Sequence, residues 1–472
     1  MALGEQHQKD PLFVVDMEPS SASGKCLTVS LILNAILASL GSFNFGYNLS
    51  VVNTTGKTFS TCPPNLSFWQ CFPVSSISWG WVAGIMCAGA LISSFVAGPI
   101  ANRFGRCKCV LSANIPYFIG FILLVFGANL YMLLLGRFFV GLGVGISCIA
   151  VPLYLTEISS VAARGLIGSL HQMGIVTGIV AAELVALTGL YQQTVWRFMF
   201  GIAAIPCVIQ LVGMIIFAPE SPRYLVSQRS MDTAKVALRK LRGKYYSEVE
   251  LDALINEASI NKTSEDAWTL VDLLWRRIST SGKSMLVASC LHLAQQLSGI
   301  NSIFLFSDSI FSSESKSSES SLVPLSIASL NFVFTVIAVL FIDKLGRRIL
   351  ALTSSSAMFL AGIALTVTLV FGWTRLAILA VFSFVGAFAV GMGPVPWIMT
   401  NELFPTIAVG SAVSFAVALN WLANMSVSVS FPSLFTLVGN YAFIPYSVIM
   451  LAFFIFSLFL LPETKGRPVA FI

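Results

Sequence analysis

Apolar segments of about 20 residues recur twelve times along the chain, six on each side of one long polar stretch. A helix of that length crosses a hydrocarbon core of ~30 Å, so each segment predicts one membrane-spanning helix. The twelve segments lie around 27–52, 78–100, 109–128, 131–155, 166–188, 196–217, 284–308, 322–342, 349–371, 375–400, 410–430 and 441–461. The pattern predicts an all-α membrane protein whose twelve transmembrane helices form two six-helix bundles.

Short charged signatures occur once in each half of the chain. Arg103-Phe-Gly-Arg106 is repeated as Lys344-Leu-Gly-Arg-Arg348, and Pro219-Glu-Ser-Pro-Arg223 is repeated as Pro462-Glu-Thr-Lys-Gly-Arg467. The separations are 241 residues from Gly105 to Gly346, 243 from Pro219 to Pro462 and 245 from Glu157 to Glu402. Ordered matches at nearly one spacing indicate a duplicated, pseudo-symmetric membrane unit. Such duplication is typical of secondary transporters, which bind their substrate between the two halves.

The polar stretch between the halves predicts a separate segment outside the membrane. It contains 11 Lys and Arg against 9 Asp and Glu, and its apolar residues have helical spacing. We therefore expect short helices there. The predicted segments are an N-terminal tail 1–26, a first bundle 27–217, a linker 218–283, a second bundle 284–461 and a short tail 462–472.

Composition and charge agree with a polytopic membrane protein. Only 10% of the residues are charged, whereas a soluble domain has about 25%. Lys and Arg are concentrated in the segments that would face inward if both termini are cytoplasmic, which fixes the predicted orientation. Anionic lipid explains the net charge of +6, so no nucleic-acid partner is expected. The three histidines are too dispersed for a zinc site, and no nucleotide or hydrolase motif occurs. No cofactor and no enzymatic activity are predicted.

The first predicted outer loop contains candidate modification sites. Cys62 and Cys71 are nine residues apart and form a candidate disulfide, and Asn65-Leu-Ser67 is a glycosylation sequon. Both features imply passage through the secretory route. We expect the plasma membrane as the final location.

Uncharged polar residues in the apolar segments form the candidate binding site. A neutral polyol needs groups that both donate and accept hydrogen bonds, as amides do, and its C–H face stacks on an aromatic ring. A single amide is explained as well by helix–helix bonding, worth ~0.6 kcal/mol. The cluster from Gln295 to Asn301 favours binding instead. The full set is Gln172, Gln295, Gln296, Asn301, Asn331, Trp397, Asn420 and Asn424.

The tenth apolar segment cannot be one regular helix. Gly393, Pro394 and Pro396 lie within six residues of Gly391, and irregular backbone at membrane depth is tolerated where it lines a cavity. This segment is therefore a candidate gate. Glu183 lies near the outer end of its segment, where we expect water to reach it; the alternative is a protonatable coupling site.

Together these motifs resemble the sugar porters of the major facilitator superfamily, most closely the eukaryotic facilitative glucose transporters. The resemblance covers residues 27–467 and includes Gly46-Tyr47-Asn48, Gln295-Gln-Leu-Ser-Gly-Ile-Asn301 and Gly393-Pro-Val-Pro-Trp397. It implies the major facilitator fold, alternating access and a hexose at the residues named above. We expect the chain to function as a monomer, whatever its oligomeric state. The charged groups that would govern gating are Arg103, Arg106, Glu157, Arg164, Glu220, Arg223, Arg347, Arg348 and Glu402.

Departures from the family pattern bear on the energy source and on the substrate. Proton-coupled relatives place Asp at the position of Asn48, which cannot titrate, so uniport is favoured. The arginine expected after Glu402 is replaced by Val409, so either the inner gate of the second half closes less firmly or Glu402 relies on Arg347. Trp397 argues for D-glucose, whereas the sequence His292-Leu-Ala leaves fructose open. The alternatives are a proton–sugar symporter using Glu183 and a sugar sensor that does not transport.

Overall fold

A computed structural model describes residues 27–60, 62, 71–188, 196–262, 278–304, 323–404 and 406–465. The described secondary structure is helical. Spans 1 to 6 are Val29–Ser60, Ser76–Phe104, Arg106–Ser112 with Asn114–Val125, Leu130–Ile158, Arg164–Gly168 with Leu170–Leu187, and Trp196–Ile202 with Ala204–Phe217. Spans 7 to 12 are Ile278–Leu297, Val323–Leu345, Arg347–Val370, Thr374–Ala387 with Val395–Glu402, Thr406–Val438 and Ile444–Leu460.

The membrane prediction is confirmed by ten of these spans, which are long and apolar enough to cross a bilayer by length and composition. Span 12 is apolar but shorter. Span 7 carries the polar cluster 295–301, which lowers its hydropathy. Counted over the described residues, these helices give the twelve that the sequence predicts.

The two halves repeat the same packing. We call spans 1–6 the first half and spans 7–12 the second half. Within the first half, span 1 packs on spans 5 and 6, and span 4 packs on spans 2 and 3. Each pair recurs six spans later, as 7 on 11 and 12, and 10 on 8 and 9. The halves meet where span 2 packs on span 11 and span 5 packs on span 8. This symmetry is the structural form of the sequence repeat.

Glycines permit the closest helix approaches. A Cβ added at Gly141 would lie 2.1 Å from the carbonyl oxygen of Met86, and one at Gly46 would lie 1.8 Å from that of Ile175. No side chain fits at such distances. These glycines therefore let spans 2 and 4, and spans 1 and 5, pack backbone to backbone.

Span 10 is broken where the sequence predicts it. Residues Phe388–Met392 form a π-helical turn, and Gly393 and Pro394 interrupt the helix before Val395. Proline lacks an N–H and cannot continue the hydrogen-bond ladder. The Gly393 N–H instead bonds the Phe388 carbonyl oxygen at 2.8 Å. The irregular segment is thus confirmed, and its use as a gate remains a prediction.

The polar linker contains the helices Pro222–Ser227, Met231–Arg242 and Glu248–Lys262, and they attach to the first half. Arg242 is buried, pairs with Glu250 at 2.8 Å, and donates to the Ile158 carbonyl oxygen at 2.9 Å. Thr28, just before span 1, donates to the Leu241 carbonyl oxygen. We call this end of the molecule, with its clusters of Arg and Glu, the charged end.

At the opposite end, Cys62 and Cys71 form a disulfide. Beside it, the ring of Phe59 stacks on Trp79 and packs edge-on against Phe72 and Trp196, with ring centroids 4.7–5.3 Å apart. The crosslink and the ring cluster fix the junction between spans 1 and 2. The predicted glycosylation site, Asn65, lies outside the described residues.

We predict that replacing both cysteines, Cys62→Ser with Cys71→Ser, lowers the melting temperature in detergent. A crosslink closing a loop of this length restricts the unfolded chain by about 2.5–3 kcal/mol. Reductant should lower the melting temperature of the wild type and leave that of the double variant unchanged. A wild-type melting temperature insensitive to reductant would contradict a stabilising disulfide.

Candidate functional site

The charged signature of the first half folds into a compact clamp. The Arg106 guanidinium Nε lies 2.9 Å from the Glu157 carboxylate, which also accepts a hydrogen bond from the Ser221 hydroxyl. The Glu220 carboxylate accepts from the backbone N–H groups of Arg106 at 2.8 Å and Cys107 at 2.9 Å. Two carboxylates thus hold the loop between spans 2 and 3 against span 4 and the start of the linker.

The second half repeats this clamp group for group. Arg347 Nη2 lies 2.9 Å from Glu402, which also accepts from the Thr464 hydroxyl at 2.6 Å. Glu463 accepts from the backbone N–H groups of Arg347 at 3.0 Å and Arg348 at 3.1 Å. Arg347 thus pairs with Glu402, which is one of the two alternatives that the replacement by Val409 left open.

Each clamp depends on one glycine with a left-handed backbone. Gly105 has φ +104° and Gly346 has φ +87°. An added Cβ would lie 2.3 Å from Glu220 Oε2 in the first case and 2.5 Å from Glu463 Oε2 in the second. The Gly-Arg and Pro-Glu signatures are therefore parts of one structure, although they are more than 100 residues apart in the chain.

The pKa of the Glu463 carboxyl reflects its hydrogen bonds in the second clamp. Burial opposes its ionisation, but N–H donors from Lys465, Arg347 and Arg348 outweigh burial and lower its pKa below the usual value. The group therefore contributes stability above the ordinary carboxyl range and loses it as the pH falls through the depressed pKa. The Glu463 carboxyl is therefore ionised at neutral pH.

The remaining predicted gating residues lie around these clamps. Arg103 is exposed, and its carbonyl oxygen accepts from the Tyr224 hydroxyl at 2.9 Å. Arg348 donates to the Leu458 carbonyl oxygen at 2.7 Å. Arg164 of the first half and Arg223 of the linker line a cavity of about 50 Å³ together with residues of the second half, namely Ile398, Asn401, Glu402, Phe404 and Val409. The two halves therefore meet at this end, and Val409 lies on the wall where the repeat predicts an arginine.

The predicted binding residues of the second half form one hydrogen-bonded network. Gln296 donates to Asn420 Oδ1 at 3.1 Å, and Asn301 donates to Gln296 Oε1 at 2.5 Å. Asn420 in turn donates to Gln295 Oε1 at 2.8 Å. These bonds join spans 7 and 11 and orient four amides, all of them buried.

The network also holds the broken helix. Gln295 Nε2 donates to the backbone carbonyl oxygens of Met392 at 2.8 Å and Gly393 at 2.9 Å. These two residues lie at the π-helical turn and the break of span 10. One amide therefore links the candidate binding site to the candidate gate.

Several buried polar atoms of spans 8 and 11 have no hydrogen-bond partner among the described residues. Among them are Asn331 Oδ1 and Thr335 Oγ1 on span 8, and Asn424 Nδ2 and Trp421 Nε1 on span 11. A buried polar group left unpaired costs about 1–3 kcal/mol, so helix–helix bonding does not explain these four. A ligand with several hydroxyl groups would pair them. Thr335 was missed by sequence reasoning, although it follows Asn331 by one helical turn.

The first half contributes residues that face the second. The Gln172 side chain lies near Gly393, at 3.4 Å from the position of an added Cβ. The Phe45 ring packs edge-on against Trp421, with centroids 5.2 Å apart, and His171 packs on Trp397 at 4.8 Å. The candidate residues of both halves thus meet between the bundles, as the duplication predicts.

Glu183 differs from the sequence expectation. It is buried, with 6% of its surface exposed, and accepts a hydrogen bond from the Ser50 hydroxyl. The expected contact with water is therefore wrong, because the carboxyl faces span 1. Nearby, the buried Arg137 donates to the backbone carbonyl oxygens of Asn48 at 2.8 Å and Val82 at 3.2 Å.

Residues 34–472 match the sugar (and other) transporter family. The chain belongs to this family. It is 36% identical over 462 residues to facilitated glucose transporter member 1 of Gallus gallus, covering 94% of this chain and 93% of that protein. It is 31% identical to member 2 of Sus scrofa, with 93% of each covered.

The solved structure of the proton:xylose symporter XylE bound to 6-bromo-6-deoxy-D-glucose gives a TM-score of 0.81 at 24% identity, covering 93% of this chain and 98% of that one. An inward-open structure of XylE from E. coli gives 0.72. These likenesses establish the major facilitator fold. With the family relationship, they make the protein a multi-pass membrane sugar transporter and not an enzyme.

We predict that Gly346→Ala destabilises the protein more than Gly372→Ala. Both glycines have positive φ, but an added Cβ meets nothing within 4 Å at Gly372 and meets Glu463 at Gly346. The control, Gly372→Ala, should lose only the stability of about 1 kcal/mol that a left-handed backbone costs a residue with a Cβ. Melting temperatures in detergent measure both losses, and equal losses would show that the close contact with Glu463 has no energetic weight.

Proposed function

We propose that the protein is a facilitative hexose carrier, a uniporter with D-glucose as its main substrate, working by alternating access. The observation that supports this best is the buried network of Gln295, Gln296, Asn301 and Asn420, together with the unpaired buried polar atoms of spans 8 and 11. Amides exchange hydrogen bonds with hydroxyl groups in both directions, which suits a neutral sugar. Each chain carries a complete set of these residues and is expected to work as a monomer.

The affinity expected of such a site is modest. Three or four net hydrogen bonds of ~1 kcal/mol each give about −4 kcal/mol, which corresponds to a Kd near 1 mM. A carrier gains nothing from much tighter binding, because the sugar must leave on the other side. Trp397 supports glucose, and the segment beginning at His292 supports fructose as a second substrate.

Uniport is supported by the hydrogen bonds of Arg137. This arginine donates to the backbone carbonyl oxygens of Val82 and Asn48, and the Asn48 side chain has no titratable group that could carry a proton. The second candidate, a proton–sugar symporter, is favoured by one observation: Glu183 is buried and hydrogen-bonded to Ser50. A sugar sensor that does not transport has no supporting observation among the described residues.

For orientation, the concentration of Lys and Arg supports placing the charged end in the cytoplasm. Both termini then lie in the cytoplasm. The disulfide between Cys62 and Cys71 at the other end supports exposure to an oxidising compartment, with the plasma membrane as the proposed location.

We predict that proteoliposomes containing the purified protein show saturable glucose uptake and counterflow without accumulation above equilibrium. Because Asn48 does not titrate, an imposed pH gradient should leave the final glucose level unchanged. Accumulation that is lost in Glu183→Gln would establish the symporter instead. Competition by unlabelled sugars ranks glucose against fructose in the same assay.

We predict that Gln296→Ala raises the KM for glucose at least 10-fold while the protein still folds, because two amide bonds and their sugar contacts are lost. The matched control is Gln210→Ala, since Gln210 is also a buried amide but bonds carbonyl oxygens of span 1 in the first half. The control should lose stability and keep its KM. An unchanged KM in Gln296→Ala would remove this residue from the site.

A further inference from the structure

The indole of Trp397 is packed between two histidine rings. The His171 ring lies edge-on at 4.8 Å between centroids and the His292 ring lies edge-on at 5.0 Å. Both imidazoles are fully buried, and 5% of Trp397 is exposed. Edge-to-face aromatic pairs at such distances are worth about 0.5–1.5 kcal/mol beyond their buried area.

Each imidazole is within hydrogen-bond distance of one hydroxyl group. His171 Nδ1 lies 2.8 Å from the Ser42 hydroxyl, and His292 Nε2 lies 3.1 Å from the Thr400 hydroxyl. The other ring nitrogens, His171 Nε2 and His292 Nδ1, have no hydrogen-bond partner among the described residues. Burial of an unpaired nitrogen is costly, so neither ring is placed here by hydrogen bonding alone. Packing against the indole accounts for both positions.

The two contacts differ in which halves they join. His292 and Trp397 both belong to the second half and move together. His171 lies on span 5 of the first half, beside Gln172, so its contact with Trp397 crosses the interface. Trp397 follows the break in span 10 and precedes Glu402 by five residues, about 7.5 Å along a helix. The contact therefore lies between the amide network and the charged end.

We propose that His171 is a positioning residue for the gate, which holds the Trp397 indole from across the interface and keeps the charged end closed. Opening at that end separates the two halves and breaks the His171 contact, while the His292 contact is kept. The strength of the His171 contact therefore sets the rate at which the empty carrier opens. This inference rests on the proposed hexose uniport.

The test compares two rates in sugar-loaded proteoliposomes of right-side-out orientation, net glucose efflux and glucose exchange. In net efflux the empty carrier must open at the charged end, so in His171→Ala, where the barrier to that opening falls, the maximal rate of net efflux should rise about 2- to 10-fold relative to that of exchange. The KM for exchange should stay within about twofold of the wild type, because His171 does not touch the sugar in this proposal. His171→Phe keeps an aromatic edge and should retain most of the wild-type ratio.

A double-mutant cycle separates positioning from a merely structural role. If His171 acts through the indole, His171→Ala should have no further effect on the rate ratio in a Trp397→Leu background. Ser42→Ala frees the imidazole while leaving it in place, and should shift the ratio in the direction of His171→Ala by a smaller factor. Additive effects of the His171 and Trp397 substitutions would overturn the proposal.

Deoxyglucose analogues distinguish positioning from direct sugar binding. The wild type is compared with His171→Phe for its preference for glucose over each analogue that lacks one hydroxyl group. If His171→Phe loses the preference for one analogue, then His171 contacts the hydroxyl group missing from it and the proposal is wrong. Failure of the proposed function is seen separately, since the wild type would then show no saturable glucose counterflow. Wild-type transport with a rate ratio unchanged in His171→Ala refutes the gating role alone.

Discussion

A polar group buried in an apolar helix bundle must find a partner, and this constraint organises the whole molecule. At the charged end it is met by carboxylates, which bind the exposed N–H groups of the loops through Glu220 and Glu463. At the centre it is met by amides that bind one another. Some buried polar atoms are left without a partner among the described residues, and those of Asn331, Thr335, Trp421 and Asn424 are the ones that the proposed sugar would pair.

The bonds within each half differ in kind from the described contacts between the halves. Each clamp lies within one half and includes one ion pair, Arg106 with Glu157 or Arg347 with Glu402. These bonds make the charged end of each bundle rigid. One described contact between the halves is the aromatic edge of Phe45 on Trp421, and an edge of this kind is easily exchanged. A rigid half and an interface that can separate are what a rocking carrier requires.

Much of this could be predicted from the sequence, because the relevant signals are local. Apolar runs mark the spans, and the glycines and prolines around Gly393 mark the broken helix. The repeat showed that Val409 stands where an arginine is expected after Glu402, which left Arg347 as one candidate partner. Burial of Glu183 and the packing of His171 could not be predicted, because both depend on which helix face meets a neighbouring span. Three dispersed histidines in the sequence excluded a zinc site and gave no sign that two of them flank Trp397.

The two bonds from Gln295 to the carbonyl oxygens of Met392 and Gly393 have a thermodynamic consequence. A ligand oxygen that takes over this amide donor removes the support of the π-helical turn. Binding and loosening then share one hydrogen-bond donor, and linkage makes the effect reciprocal. If the ligand shifts the equilibrium of span 10 toward its loosened form by some factor, then the stiffened form of the span must bind the ligand more weakly by that same factor. Affinity and mobility are therefore opposing demands on a single amide group.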